Sequence, residues 1–207
     1  PTAILGMLGA ILGLSREEYS FILQENGQVK IAIGFNKPVR KIRMGMNLNE
    51  PGNVKELGKP LTKVAQIKME FLKDCSYRIY VGCSKLIRDM LHKDLQEHKS
   101  HYTPYLGSAQ CIAQVKYLGK WDSEGLKDLS HGIPVNTAVT DDCKVLVQPE
   151  QVYHRESMPV TMGSDRCATY ANVIFDPNGG LLWVKEGTFT RIWKHGNTSI
   201  IKWLNSQ

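Results

Sequence analysis

Devices that commonly fix a small protein are scarce in this chain of 207 residues. Its five cysteines stand far apart, at 75, 83, 111, 143 and 167, with no CxxC pair. That spacing argues against a disulfide framework and for a reducing compartment. The six histidines, at 92, 98, 101, 131, 154 and 195, form no HExxH and no Cys/His cluster, so neither a metal nor another cofactor is expected. Long apolar runs are missing as well. The uncharged opening PTAILGMLGAILGL, residues 1–14, is too short to span a bilayer and lacks the basic flank and cleavage site of a signal peptide. No membrane partner is therefore expected. Phosphate loops, nucleophile elbows and paired-carboxylate patterns are absent, as are internal repeats and low-complexity tracts.

What is present is ordinary in amount and uneven in place. With 42% hydrophobic and 22% charged residues, the chain has the composition of one globular domain, or of one domain with a small appendage. Lys and Arg number 26 against 20 Asp and Glu, a formal charge of +6. Residues 37–73 hold nine basic side chains (Lys37, Arg40, Lys41, Arg43, Lys55, Lys59, Lys63, Lys68, Lys73) and three acidic ones (Glu50, Glu56, Glu70), which accounts for the whole excess. A single basic segment in an otherwise neutral chain is the distribution expected of a localised phosphate contact.

The pattern along the chain is mixed α and β. Pro1-Thr2 opens a helix on which Gly6, Gly9 and Gly13 leave a smooth face. A glycine costs about 1 kcal/mol in a helix interior, so another backbone is expected to come close there. Ser15-Arg-Glu-Glu caps a second short helix reaching about Gln24. Val29, Ile31, Ile33 and Phe35 alternate with Gln28, Lys30, Ala32 and Gly34, which predicts a half-buried strand; Tyr77, Ile79 and Val81 predict another. The basic segment lies between these strands, and its runs around 39–48 and 61–72 can pair as the arms of a projecting hairpin. Ser84 starts an amphipathic helix with Leu86, Ile87, Met90, Leu91 and Leu95 on one side, and Cys111, Ala113, Val115 and Tyr117 predict a further strand. This order is a βαββαβ, ferredoxin-like (RRM-like) α+β core whose first strand is absent. From about 120 onward short strands and turns predict a small β element, with Asp176-Pro-Asn-Gly as a hairpin-type turn.

PTAILGMLGAILGL, VRKIRMGMNLNE, AQIKMEFLKDCSYRIYV, SHYTPYLGSAQCIAQVKYLG and MPVTMGSDRCATYANVIFDPNGG together resemble the Cas-five family of CRISPR-associated proteins, and most closely its type I-B members. The resemblance runs over essentially the whole chain, with the motifs in the family's order. It implies a ferredoxin-like domain over 1–119 carrying a β-hairpin thumb at 37–73, and a β-rich subdomain over 120–207. Family members begin with a strand and loop before the PTAILG motif, so the resemblance also implies that the first strand of the core precedes Pro1. The role it implies is that of a cytoplasmic, prokaryotic RNA-binding subunit that holds the 5′ handle of the CRISPR RNA. Such a subunit caps the Cascade surveillance complex beside the large Cas-eight subunit and a Cas-seven backbone subunit, and meets target DNA only through the complex.

On this basis Arg40, Lys41, Arg43, Lys63 and Lys68 are candidates to neutralise phosphates, with Asn47 and Gln66 as further contacts. Met44, Met46, Tyr102 and Tyr105 are candidates to stack on splayed bases, and Thr2 marks an anion site at the start of the first helix. Members of the family in type I-C systems cut the RNA precursor without metal, using Tyr, Lys and His. Lys99, His101 and Tyr102 would supply such a base and acid here. Since type I-B systems carry a separate processing nuclease, a non-catalytic subunit is expected, with an endoribonuclease and a pure protein-docking cap as the alternatives. Trp183, Trp193 and Trp203 near Lys185, Arg191, Lys194 and Lys202 are expected to be a β core with surface cations rather than a docking strip.

Overall fold

The computed structural model describes residues 1–15, 18–20, 28–49, 64–126, 131–163 and 165–205. Helix α1, Thr2–Leu12, buries Leu5, Leu8 and Ile11, spaced to lie along one side. It stops at Gly13, whose φ of 73° is left-handed and whose N–H reaches the carbonyl of Gly9. A β-carbon at Gly13 would sit 2.7 Å from the His101 ring, so glycine is needed for space as well as for conformation. The short turn α2, Glu18–Ser20, is held by a reciprocal capping box. Glu18 N–H donates to the Ser15 hydroxyl at 3.3 Å, and Ser15 N–H donates to the Glu18 carboxylate at 3.1 Å. The rest of the predicted second helix lies outside the described residues.

Strand β1, Lys30–Phe35, leads into a long hairpin of β2, Arg40–Asn49, and β3, Val64–Lys73, and the chain returns as β4, Tyr77–Gly82. β1 and β4 pair antiparallel, with Ile31 opposite Val81 and Ile33 opposite Ile79. Helix α3, Lys85–Gln96, follows, and Ile87 and Leu91 join Leu5, Leu8, Ile11, Val29 and Ile31 in one core. Two helices therefore cover one face of a two-stranded sheet. β1 was expected to be half buried, but it is enclosed on both faces. Ala32 packs against Ile192 and Ile201, and a β-carbon on Gly34 would meet the Asn136 carbonyl oxygen at 2.7 Å. Small residues on that side let a second layer approach closely.

That layer also closes the outer edge of β1. Ile31 N–H donates to the Asn205 side-chain oxygen at 2.7 Å, and the Asn205 amide donates to the Val29 carbonyl at 2.8 Å. Leu204 N–H and Ala138 N–H donate to the carbonyls of Ile31 and Ile33, each at 2.8 Å.

The remaining strands are β5 Asp122–Leu126, β6 Ile133–Val135, β7 Val139–Thr140, β8 Lys144–Val145, β9 His154–Met162, β10 Ala168–Phe175, β11 Leu182–Glu186, β12 Phe189–Lys194 and β13 Asn197–Ile201. They form three antiparallel sheets in the orders β7-β10-β9, β6-β11-β8 and β13-β12-β5. The described residues are thus α+β, with small antiparallel sheets, the helices α1 and α3, and the short turn α2.

Four further expectations are corrected. Residues 111–117 form no strand; a lone bridge joins Tyr105 to Ile112, and the stretch beyond it runs without a ladder because no described strand lies alongside. Leu86 and Met90 are exposed, because only Ile87, Leu91 and Leu95, four residues apart, line up on the sheet face. The turn at Asp176 is tight, with Asn178 N–H bound to its carboxylate at 2.8 Å, but it joins β10 to β11, which belong to different sheets, and so makes no hairpin. Lys202 is not a surface cation. It is buried, donates to Asp142 at 2.6 Å and lies over the Phe189 ring. Trp203 pairs with the Thr190 hydroxyl at 2.9 Å and packs on Gly82.

Two consequences can be measured. Asn205→Ala removes the partner of the Ile31 N–H in β1 and of the Val29 carbonyl just before it, so a loss of about 1–3 kcal/mol in denaturant unfolding is expected. Burial pushes the Asp142 carboxyl up, but the hydrogen bonds from Lys202 and Thr140 outweigh it and hold it below the usual range. A carboxyl held low stabilises the fold above its unfolded value and loses that contribution as pH falls through the folded one. Thermal stability should therefore drop on acidification below the ordinary aspartate range. In Asp142→Asn, which is less stable at neutral pH, that part of the acid sensitivity should be gone.

Candidate nucleic-acid interface

The hairpin register sorts its side chains onto two faces. Directly opposed residues share a face, and the faces alternate along each arm. One face carries Lys41 opposite Leu72, Arg43 opposite Glu70, Gly45 opposite Lys68, and Asn47 opposite Gln66. The other carries Arg40 opposite Lys73, Ile42 opposite Phe71, Met44 opposite Met69, and Met46 opposite Ile67. The predicted RNA contacts therefore divide. Lys41, Arg43, Asn47, Gln66 and Lys68 lie on the polar face, whereas Met44 and Met46 lie on the apolar one, with Arg40 at its base. Lys63 lies outside the described residues. The apolar face is open: Met44 is 51% exposed and Ile67 45%.

On the polar face one carboxylate meets two cations. Glu70 accepts from Lys41 at 2.9 Å and from Arg43 at 3.4 Å. The hydrogen bond from Lys41, then that from Arg43, holds the Glu70 carboxyl below its ordinary range, and Glu70 in turn raises Lys41. Sequence reasoning missed Glu70 as the counter-ion, although pairing the predicted arms in register would have placed it opposite Arg43. Lys68 stands opposite Gly45 across the hairpin.

A second group of predicted residues converges elsewhere. Thr2 and Tyr105 line one cleft of about 390 Å³ together with Ala3, Gly6, Met7, Ala10, Tyr19, Pro104 and Met162. Tyr102 is not part of it; its ring stands edge-on to His101 at 4.6 Å between centroids. The turn holding these residues is tied to α1 by His101 N–H to Ile11 and Tyr102 N–H to Ala10, at 3.1 and 2.9 Å.

The fold resembles a known structure. The chain is similar to the crystal structure of a CRISPR protein from Archaeoglobus fulgidus, with a TM-score of 0.50 and 14% identity over 98% of this chain and 86% of that one. The likeness is one of fold. No protein-family model matches the chain, and no curated protein matches it in sequence.

Of the three residues considered for RNA cleavage, Lys99 pairs with Glu97 at 2.6 Å, and the bond keeps its ammonium protonated to higher pH than usual. The His101 ring is packed where a side chain on Gly13 would go. Among the described residues, no three His, Cys, Asp or Glu side chains gather as a metal site would require, and no helix is long and apolar enough to cross a membrane.

The double pairing of Glu70 predicts that Glu70→Gln frees Lys41 and Arg43 for phosphate. Affinity for single-stranded RNA at low salt should rise, and the slope of log affinity against log salt should steepen by up to about 0.7 per added phosphate contact. Fluorescence anisotropy over a salt series would show it.

Proposed function

We propose that this chain is a non-catalytic RNA-binding subunit of a type I CRISPR surveillance complex, of the Cas-five kind and type I-B, built on a ferredoxin-like core. In this reading it holds the 5′ handle of the CRISPR RNA and caps the complex beside the large Cas-eight subunit and a Cas-seven backbone subunit. Target DNA is met only through the assembly, in the cytoplasm of a prokaryote. The observation that carries the reading is the confinement of the whole net charge to residues 37–73, whose described arms form a two-faced hairpin. A polar face with Lys41, Arg43 and Lys68 suits a phosphate backbone, and the apolar face opposite suits bases or a protein neighbour. The likeness in fold to a CRISPR protein from Archaeoglobus fulgidus agrees with it.

The test mixes the purified chain with labelled repeat RNA in the absence of metal, and follows binding alongside a denaturing gel. Binding of intact RNA is expected; a discrete cut within the repeat would make the chain a processing nuclease instead. Arg40→Ala with Arg43→Ala should weaken binding and lower the salt slope by about 1–2 units. An unchanged slope would remove the hairpin as the clamp. Recruitment to the complex that is identical with and without RNA would favour the pure docking cap.

A further inference from the structure

The hairpin and the sheet it grows from are not one continuous ladder. Phe35 stands opposite Tyr77 at the end of the β1–β4 pair, and Arg40 opposite Lys73 at the start of the β2–β3 pair. From Phe35 to Arg40 is five steps along the chain and from Tyr77 to Lys73 four, so the register slips by one residue at the root of the hairpin. Asp74 lies at this root with a left-handed φ of 51°, and Pro38 has no N–H to give to a ladder. The arms meet there through Asn36 N–H on the Ser76 carbonyl at 2.9 Å and the Asn36 amide on the Ser76 hydroxyl at 3.4 Å. A break of this kind in a two-stranded ribbon is where it bends.

The brace for this joint comes from the other end of the chain. Val39 N–H donates to the Pro177 carbonyl at 2.7 Å, in the turn between β10 and β11. The same turn lies against the end of β1. A β-carbon at Gly179, whose φ is 82°, would sit 3.1 Å from the Phe35 carbonyl oxygen, and the Phe35 ring stacks on Phe175 at 5.2 Å between centroids. One turn therefore holds the chain just before and just after residues 36–38.

A single carboxylate shapes that turn. Asp176 is buried, and one of its oxygens accepts from Asn178 N–H at 2.8 Å. The other accepts from the Gln151 amide at 2.9 Å. Gln151 also donates to the Leu181 carbonyl at 2.9 Å, and its oxygen accepts from the Tyr153 hydroxyl at 2.6 Å. That hydroxyl accepts in turn from Gln148 N–H at 2.8 Å. Every polar group of the Gln151 side chain is thus engaged, and the network fixes the carboxylate from behind.

We propose that Asp176 is a positioning residue for the hairpin: through the Pro177 carbonyl it sets the direction in which the hairpin leaves the sheet, and so preorganises the cationic face for an RNA strand. The second half of the proposal rests on the RNA-binding reading above. A brace acts by raising the fraction of molecules whose hairpin already points the binding way, and apparent affinity scales with that fraction.

The experiment uses the whole chain. Nitroxides carried by a ketone-bearing non-natural amino acid, at position 45 on the hairpin and position 93 on α3, leave the native cysteines unlabelled, and double electron–electron resonance reads the distance between them. Gly45 has open space around its β-carbon, and Lys93 is exposed. Position 45 stands about 17 Å along the strand from Arg40, so loss of the brace is expected to shift or spread the distance by about 5 Å. Asp176→Ala should do this from the side of the turn, and Val39→Pro, which removes the N–H, from the side of the hairpin. The double variant should move it no further than either alone, because both cut one tie. Affinity for a short labelled single-stranded RNA should fall about three- to tenfold in each, with the salt slope unchanged, since the bound state keeps its phosphate contacts. Circular dichroism melting reports whether each variant is folded, and Val39→Pro carries the test if Asp176→Ala is not. Unchanged distances in the folded variants would overturn the brace. Moved distances with unchanged RNA affinity would overturn its positioning role. An unsubstituted chain that binds no RNA would overturn the RNA reading instead, and the distances alone would then decide the brace.

Discussion

Everything in this molecule is organised around the enclosure of one six-residue strand. Lys30–Phe35 has helices on one face, a β layer on the other, and its outer edge sealed by Asn205, Leu204 and Ala138. The seal matters because buried backbone polar groups that lack partners cost free energy comparable to a lost hydrogen bond. Asn205 meets this need with a single amide, donating and accepting as a neighbouring strand would. Residues at opposite ends of the described chain thus depend on the same contacts. The base of the projecting hairpin is fixed by the strands that this arrangement holds.

The hairpin departs from the usual way of managing an exposed two-stranded ribbon. It shows Met44, Met69 and Ile67 on one face to solvent, with Met46 half-buried among them, and a cationic face opposite. An isolated hairpin is marginal in water, so a partner on one or both faces would stabilise what the chain alone holds weakly. Glu70 sets the terms on the polar side. Surface ion pairs contribute little, so the pairing with Glu70 restrains Lys41 and Arg43 only weakly. The same carboxylate lowers the net charge presented by the middle of the face and leaves Lys68 as the cation set against a glycine.

Local pattern carried some features far. The capping of α2 by Ser15 and Glu18 and the amphipathic helix after Ser84 come from interactions within a few residues, where spacing is sufficient information. The hairpin arms were legible because alternation and charge agreed. Less visible were the features made by distant partners. Ala32 and Gly34 look like the weak side of a half-buried strand, yet their smallness admits the second layer. Lys202 resembles any surface lysine until Asp142 and Phe189 are placed beside it. Residues 111–117 alternate as a strand does, but alternation supplies no neighbour to pair with.

The candidate sites divide along the same line. Charge is a property of composition and position, so the concentration of cations in residues 37–73 was determined by the sequence alone. The register that puts Glu70 between Lys41 and Arg43, and methionines on the reverse face, needed the two arms to meet. Thr2 and Tyr105 are over a hundred positions apart, and nothing local relates them. Only the packing of α1 against the turn at 103–107 puts both on one cleft, because long-range contacts are set by how faces bury together and not by the order of residues in the chain.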